Sequence, residues 1–409
     1  MMERYGLLGE HLGHSFSPQI HKAIGGYDYE LFEVPPEWLE KFLKTGEFRA
    51  INVTIPYKKA VIPYCAALSP QAAEIGSVNT IVRREDGTLY GDNTDYYGFL
   101  YTVRSSGVSA AGKKCIVFGN GGVAPTVRAV LRDLGAGEIV TVSRRGENNF
   151  QNLFRHYDAQ ILVNATPVGM YPKNGESVAD LAGFERLEAA FDLVYNPSVT
   201  EFLRQAADKG AAAVNGLGML VAQAKRASEI FRNVQIDDAV IDPIRAQIAR
   251  QEMNIALIGM AGSGKTTIGR TLAALTGRKF VDCDDLIPQY AGGKSIQDIF
   301  AQDGEDAFRK IETAVLRDVS KESGCVIATG GGVVTREENL PLLRQNSVTV
   351  LLRRNVEDLP SDGRPMSQKH GVAALYERRR PLYEAWGEYT FDCVGVEETA
   401  KAIKEALCL

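Results

Sequence analysis

Cysteine is sparse in this 409-residue sequence, and the six residues at 65, 115, 283, 325, 393 and 408 form no C-x-x-C pair. That spacing argues against a disulfide framework or a zinc module and leaves reduced thiols, mostly in apolar, strand-like surroundings. Nor do His11, His14 and His21 have a cysteine or clear carboxylate companion, so they make a poor metal centre. No apolar run is long enough to span a bilayer, and MMERYGLLGEHLG lacks a signal-peptide pattern. A cytoplasmic protein without a membrane partner is therefore expected. A strong charge excess is also missing: 46 basic against 51 acidic residues give a net charge of −5, and the basic clusters Arg144-Arg145, Arg353-Arg354 and Arg378 to Arg380 are short and scattered. This argues against nucleic acid and points to small anionic ligands. Repeats and low-complexity segments are absent, and nothing in the pattern specifies an oligomeric state.

What is there reads as α/β. The length suits two or three domains. The first hundred residues alternate strand-like and helix-like pieces: YGLLG, QIHKAIGG, YELFEV, PEWLEKFLKT, and AINVTI leading into YKKAVIPYCAAL. Asp86-Gly87 between two alternating arms predicts a tight hairpin. A second unit begins at Lys114, with strands CIVFG, EIVTVS, ILVNAT and AAFDLVY, a helix from Ala124 to Leu134, and another opened by Thr200 and stopped by Gly210. Strand alternating with helix implies a parallel sheet. Helices over Leu220 to Phe231 and Asp237 to Arg250 follow. A third unit has strands NIALIG, KFVDC, CVIATG and SVTVLL, and a closing helix from Glu397 to Leu407.

Glycine-rich turns follow strands twice. In FGNGGVA, Gly119 permits a turn, Gly121 lets backbone N–H groups approach a pyrophosphate, and the next helix presents its positive end. One strand later TVSRR ends in Arg144 and Arg145 rather than in an acid, which suits the 2′-phosphate of NADP better than the free ribose of NAD. Polar clusters fall at strand ends in HSFSP, NVTIPYK, SVNT and GDNTD. Ser15 and Ser17 can offer two hydroxyls to one carboxylate, and Lys58 and Asp95 can form a proton-transfer pair.

The ordered series HSFSP, NVTIPYK, VNT, GDNTD, GNGG, NATPVGM and GLGMLVAQA resembles the motifs of shikimate dehydrogenases across about residues 4 to 250. The resemblance implies a substrate domain joined to a Rossmann-like NADP domain, with the last helices returning to the first. It implies NADPH-dependent reduction of 3-dehydroshikimate to shikimate. Lys58 and Asp95 would be catalytic, Ser15, Ser17, Thr54, Asn79 and Gln223 would bind substrate with Tyr195 nearby, and Gly119, Gly121, Gly122, Val123, Ser143, Arg144, Arg145, Thr166 and Gly216 would form the NADP seat. TVSRR departs from the family's frequent Asn-Arg-Thr.

In GMAGSGKTT, residues 259 to 267, the glycines let the loop wrap with its N–H groups inward, Lys265 meets the β- and γ-phosphates, and Thr266 can ligate Mg²⁺. Asp282 is placed to help hold the magnesium, and Asp284 to hydrogen-bond an acceptor hydroxyl. Arg309 and Glu312 lie three apart on one helical face, so the carboxylate can orient the guanidinium toward a ligand acid. Gly330, Gly331 and Gly332 expose backbone donors, and Arg364 and Arg379 add cations from a segment suited to a lid.

From Asn254 onward these pieces resemble shikimate kinase: GxxGxGKTTxGR, FVDCDD, FRKIE, GGG, GRP and RxPLY occur in order. The resemblance implies that Gly259, Gly262, Ser263, Gly264, Lys265, Thr266 and Thr267 bind ATP. It gives Arg309 and Arg379 the shikimate carboxylate, Asp284 and Gly330 to Gly332 the hydroxyls, and Arg364 the transferring phosphate. The run RRNVEDLPSD is shorter than the family's usual stretch bearing an adenine-stacking arginine.

The expected organisation is a substrate domain over 1–100 plus about 217–250, an NADP domain over 101–216 and a P-loop kinase domain over 253–409. The product of the first reaction is the substrate of the second, which explains two phosphate loops in one chain. Alternatives are a quinate/shikimate dehydrogenase of broader specificity fused to another small-metabolite kinase, and a metabolite sensor that has lost its chemistry. Lys58, Asp95, Lys265, Asp282 and Asp284 all remain, which counts against the sensor.

Overall fold

The computed structural model describes residues 4–13, 15–359, 366 and 371–409. The chain divides into two compact units, Met1–Tyr195 with Thr200–Gln247, and Asn196–Val199 with Ile248–Leu409.

The first unit contains two sheets. Strands β1 (Tyr5–Gly9), β2 (Tyr29–Glu33), β3 (Ala50–Val53), β4 (Ala67–Leu68), β5 (Thr80–Arg83) and β6 (Leu89–Asp92) run in the order β2-β1-β3-β5-β6-β4. β1 is parallel to β2 and β3, whereas β5 is antiparallel to β3 and β6. The hairpin turns at Gly87, whose φ of 83° is open to glycine at little cost. The second sheet is wholly parallel, with β7 (Lys114–Phe118), β8 (Glu138–Val142), β9 (Ile161–Asn164), β10 (Ala189–Asp192) and β11 (Ala212–Val214) in the order β11-β10-β9-β7-β8. All of β9 and β10 is buried, as expected where helices cover both faces of a parallel sheet.

The second unit is one parallel sheet of β12 (Asn254–Ile258), β13 (Lys279–Asp282), β14 (Cys325–Ala328), β15 (Ser347–Arg353) and β16 (Tyr389–Asp392), ordered β13-β14-β12-β15-β16. The phosphate loop leaves the central strand, flanked on one side by β14 and β13 and on the other by β15 and β16.

Some local structure differs from the sequence pattern. YKKAVIPYCAAL forms turns, a 3-10 helix Ile62–Tyr64 and the two-residue β4, because Pro63 lacks an N–H and restricts its predecessor. A helix at Thr94–Ser105 carries Asp95 in its first turn, yet its tyrosines and Gly98 mask a helical signal. Packing decides it: Thr94, Asp95, Gly98, Phe99, Thr102 and Val103 make one buried face. β16 is also unexpected from sequence, being a short edge strand with little buried surface. All six cysteines are free. Cys115, Cys283 and Cys325 are buried and Cys65 and Cys393 half-buried, but Cys408 is exposed rather than in the core.

Helix Thr94–Ser105 lies so close to helix Leu217–Arg232 that a Cβ on Gly98 would stand 2.7 Å from the Met219 carbonyl oxygen and 3.0 Å from Cβ of Gln223. Two backbones meet there because glycine has no side chain to separate them. Gly98→Val is expected to destabilise the first unit by about 2 kcal/mol, overpacking outweighing any gain in helix propensity. Chemical denaturation of the variant against the parent checks this, and an unchanged midpoint would refute the close approach.

Candidate functional site

A cleft of about 390 Å³ gathers residues from both sheets of the first unit. Of the residues expected to bind or react, Ser15, Ser17, Thr54, Lys58, Asn79, Asp95, Val123, Tyr195, Gly216 and Gln223 all line it. At its polar end Lys58 Nζ donates to Asp95 Oδ2 over 2.6 Å, with both side chains largely shielded. Asp95 belongs to the first helical turn, where the helix's positive end favours a carboxylate. Asn93 caps that helix by accepting from Tyr96 N. Asn79 Oδ1 accepts from the Thr94 backbone N–H over 2.7 Å, so the side chain expected to bind substrate also fixes the residue preceding Asp95. Ser15 Oγ accepts from the Ser17 backbone N–H over 3.2 Å, holding the two hydroxyls on one turn.

Asn52, the first residue of NVTIPYK, is a further lining residue to which the sequence assigns no role of its own. Its Oδ1 accepts from Tyr29 Oη over 2.7 Å and its Nδ2 donates to the Asn79 carbonyl, bracing the substrate wall from beneath. Nearby His21 is a core residue. Its ring stacks on Tyr29 with centroids 4.0 Å apart, its Nδ1 lies 3.1 Å from Ser228 Oγ, and burial pushes its pKa down to about 3. His14 lies outside the described residues. Among those described, no cluster of three or more histidine, cysteine or acidic side chains is arranged to hold a metal.

Val123, Leu193 and Met219 supply apolar lining to the same cleft, with Tyr195. Gly119 ends β7 at a φ of 99°, and a Cβ there would stand 2.7 Å from Thr166 Cγ2. Gly121 and Gly122 face open space. A glycine turn with room above it, leading into helix Ala124–Asp133, fits a pyrophosphate. Ser143, Arg144 and Arg145 follow β8 outside the cleft lining, and both arginines are exposed.

In the second unit the loop after β12 holds Gly259, Gly262 and Gly264 at φ of 141°, 85° and 98°. Lys265 Nζ donates to the carbonyls of Gly259 and Met260, folding back over its own loop. Thr266 Oγ1 donates to Asp282 Oδ2 over 2.7 Å, which sets a hydroxyl and a carboxylate side by side as a divalent cation beside the phosphates requires. Asp282 Oδ1 accepts from Asp284 N, capping the next helix.

Beside this loop lie several buried charges. Arg309 Nη1 donates to Glu312 Oε2 over 2.6 Å, and Arg379 Nη1 to the Gly331 carbonyl over 3.0 Å. Arg309 Nε, Arg379 Nε, Arg379 Nη2 and Glu312 Oε1 are buried without a partner among the described residues. Burial lowers the Arg379 pKa from its ordinary value. Unmade bonds on buried guanidinium groups are costly unless a ligand completes them, and two guanidiniums fit an anion such as a carboxylate. The glycines here are needed for contact: a Cβ on Gly332 would enter the Arg309 guanidinium, and one on Gly330 would meet Glu312. Tyr383, whose hydroxyl donates to the same Gly331 carbonyl as Arg379, was hidden within RRRPLY. Arg364 lies outside the described residues.

Fold and sites together define an α/β enzyme with a Rossmann-like nucleotide fold in one unit and a P-loop fold in the other. Residues 7–81 match the family model of the shikimate dehydrogenase substrate binding domain, and residues 261–407 match that of shikimate kinase. The NADP(+) shikimate dehydrogenase of Clostridium beijerinckii is 38% identical over 258 residues, covering 58% of this chain and 94% of that protein. A chorismate mutase/shikimate 5-dehydrogenase fusion from Clostridium acetobutylicum superposes with a TM-score of 0.58 at 38% identity, covering 61% of this chain and 97% of that one. Shikimate 5-dehydrogenase from Thermus thermophilus, in complex with NADP(H) and shikimate, gives 0.55 at 33% identity, covering 60% and 99%. The chain belongs to the shikimate dehydrogenase family and carries a shikimate kinase domain behind that region. No helix among the described residues is long and apolar enough to cross a membrane.

Asp284 keeps an exposed surface, and partial loss of solvent, with Asp282 and Glu312, pushes its pKa up while Lys265 and Arg309 oppose the rise.

Proposed function

We propose that the first unit reduces 3-dehydroshikimate to shikimate with NADPH and the second phosphorylates shikimate to shikimate 3-phosphate with ATP and Mg²⁺. The observation that carries this reading is the pair of buried arginines with open N–H bonds beside the phosphate loop, in a chain whose other unit holds the Lys58–Asp95 pair in a cleft. Both sites call for an acidic, hydroxylated ligand. In the domain assignment that goes with this reading, 1–100 plus about 217–250 bind the substrate, 101–216 bind NADP and 253–409 form the kinase. The free thiols suit a reducing compartment, and the cytoplasm supplies both nucleotides.

Bound NADPH supplies a hydride and bound ATP a phosphoryl group, its charge offset by Mg²⁺. In the first cleft Ser15 and Ser17 orient the substrate carboxylate, and Thr54, Asn79 and Gln223 its hydroxyls. Lys58 gives a proton to the carbonyl oxygen as that oxygen becomes a hydroxyl, and Asp95 holds the ammonium on target and lets solvent restore the proton. Arg144 and Arg145 meet the 2′-phosphate. In the second unit Arg309 and Arg379 hold the carboxylate, Gly330 to Gly332 and Asp284 position the hydroxyls, and Asp284 takes the proton from the attacking one. Lys265 offsets charge on the β- and γ-phosphates, and Thr266 with Asp282 would hold the magnesium.

The purified chain is expected to oxidise NADPH on addition of 3-dehydroshikimate and to release ADP once ATP and Mg²⁺ are present. Lys58→Ala should remove the first activity by at least about 100-fold and spare the second, and Lys265→Ala should do the reverse. Loss of both activities in either variant would contradict independent sites, and no turnover in the parent would favour a sensor. Oxidation of quinate at rates comparable to shikimate would favour the broader dehydrogenase.

A further inference from the structure

Asp192 is a buried carboxylate that the proposed chemistry does not use. It ends β10, directly beside Asn164 at the end of β9. Asp192 Oδ1 accepts from Asn164 Nδ2 over 2.9 Å and from the Val194 backbone N–H over 3.0 Å, while Oδ2 accepts from Thr200 Oγ1 over 2.6 Å. Thr200 in turn caps the helix Glu201–Asp208. Burial pushes the Asp192 pKa up to about 6, and the bonds from Thr200, Val194 and Asn164 oppose that rise.

The bonds propagate in two directions. Asn164 Nδ2 also donates to the Val168 carbonyl, which fixes the amide so that its Oδ1 must face Thr166, accepting from N over 3.0 Å and from Oγ1 over 2.7 Å. The methyl of that threonine is the surface against which Gly119 turns. In the other direction, the bond to Val194 N fixes the backbone between Leu193 and Tyr195, two of the residues lining the cleft. Gly216 N then donates to the Val194 carbonyl, and a Cβ on Gly216 would enter the Leu193 carbonyl, so Gly216, which also lines the cleft, follows the same backbone.

We propose that Asp192 is a positioning residue that sets, through its Oδ1, the two loops enclosing the nicotinamide end of the nucleotide. This rests on the reading of the first unit as NADPH-dependent. The carboxylate touches neither ligand nor substrate; it fixes Thr166 through Asn164 and the 193–195 backbone through Val194, and the adenosine end beyond β8 is outside its reach.

Binding of whole and truncated nucleotide separates this role from general support of the fold. In the full chain, Asp192→Ala is expected to weaken NADPH binding by about tenfold, read by NADPH fluorescence, while affinity for adenosine 2′,5′-bisphosphate, which lacks nicotinamide, stays within twofold of the parent. Asp192→Asn keeps an oxygen in the Oδ1 place and should recover most of the NADPH affinity. Asn164→Ala removes the middle of the same chain of bonds and provides the test should the Asp192 variant fail to fold; its effect should fall on NADPH and not on the bisphosphate. Equal weakening of both ligands, or unchanged NADPH binding in both variants, would overturn the role. Absence of NADPH oxidation by the parent chain with 3-dehydroshikimate would instead overturn the functional reading on which it rests.

Discussion

The 2.6 Å bond between Lys58 and Asp95 requires two distant pieces of chain to arrive at one place. Lys58 lies on the loop after β3, and Asp95 on the first turn of the helix that leads from the first sheet to the second. That helix is held by its approach to Leu217–Arg232 at Gly98, and the same approach brings Gln223 and Met219 to the cleft. The ion pair and the side chains of Gln223 and Met219 thus depend on one contact between backbones. An ion pair so shielded must be placed well, because charge taken from water is recovered only in good geometry.

The second unit handles charge in the opposite way. Lys58 and Asp95 satisfy each other, whereas Arg309 and Arg379 keep buried N–H groups with no hydrogen-bond partner among the described residues. Glu312 holds Arg309 in orientation, and the Gly331 carbonyl holds Arg379, but neither arginine is saturated. Such an arrangement disfavours the empty state and reserves its strongest bonds for a ligand anion.

Much of this was legible in the sequence, because glycines at strand ends announce where backbone must approach a ligand. Gly119 and the loop Gly259 to Gly264 occur at the expected turns, each with a positive φ at the positions that need one. The sheet order, the helix carrying Asp95 and the edge strand β16 were not legible: the first depends on long-range pairing, the second on a buried face interrupted by tyrosines, and the third on a single partner strand. Asn52, Asp192 and Tyr383 stand inside NVTIPYK, AAFDLVY and RxPLY, yet these segments assign them no role, for another reason. Each acts through a second residue across the fold, from Tyr29 to Asn79, from Asn164 to Thr166, and from Arg379 to Gly331, and no local spacing records such a chain.

If both units receive the same carboxylate ligand, they do so with different donors, and the difference follows from the surrounding charge. In the first cleft the nearest ionic groups, Lys58 and Asp95, cancel, so under the proposed reading neutral hydroxyls such as Ser15 and Ser17 would suffice to hold one carboxylate. In the second site the carboxylate must sit near Asp282, Asp284, Glu312 and the phosphates of a nucleotide, a field in which hydroxyls alone could not retain it. Two guanidiniums offset that repulsion, and their burial strengthens the attraction by excluding water. The choice of serines in one unit and arginines in the other is thus set less by the ligand than by the charges it must approach.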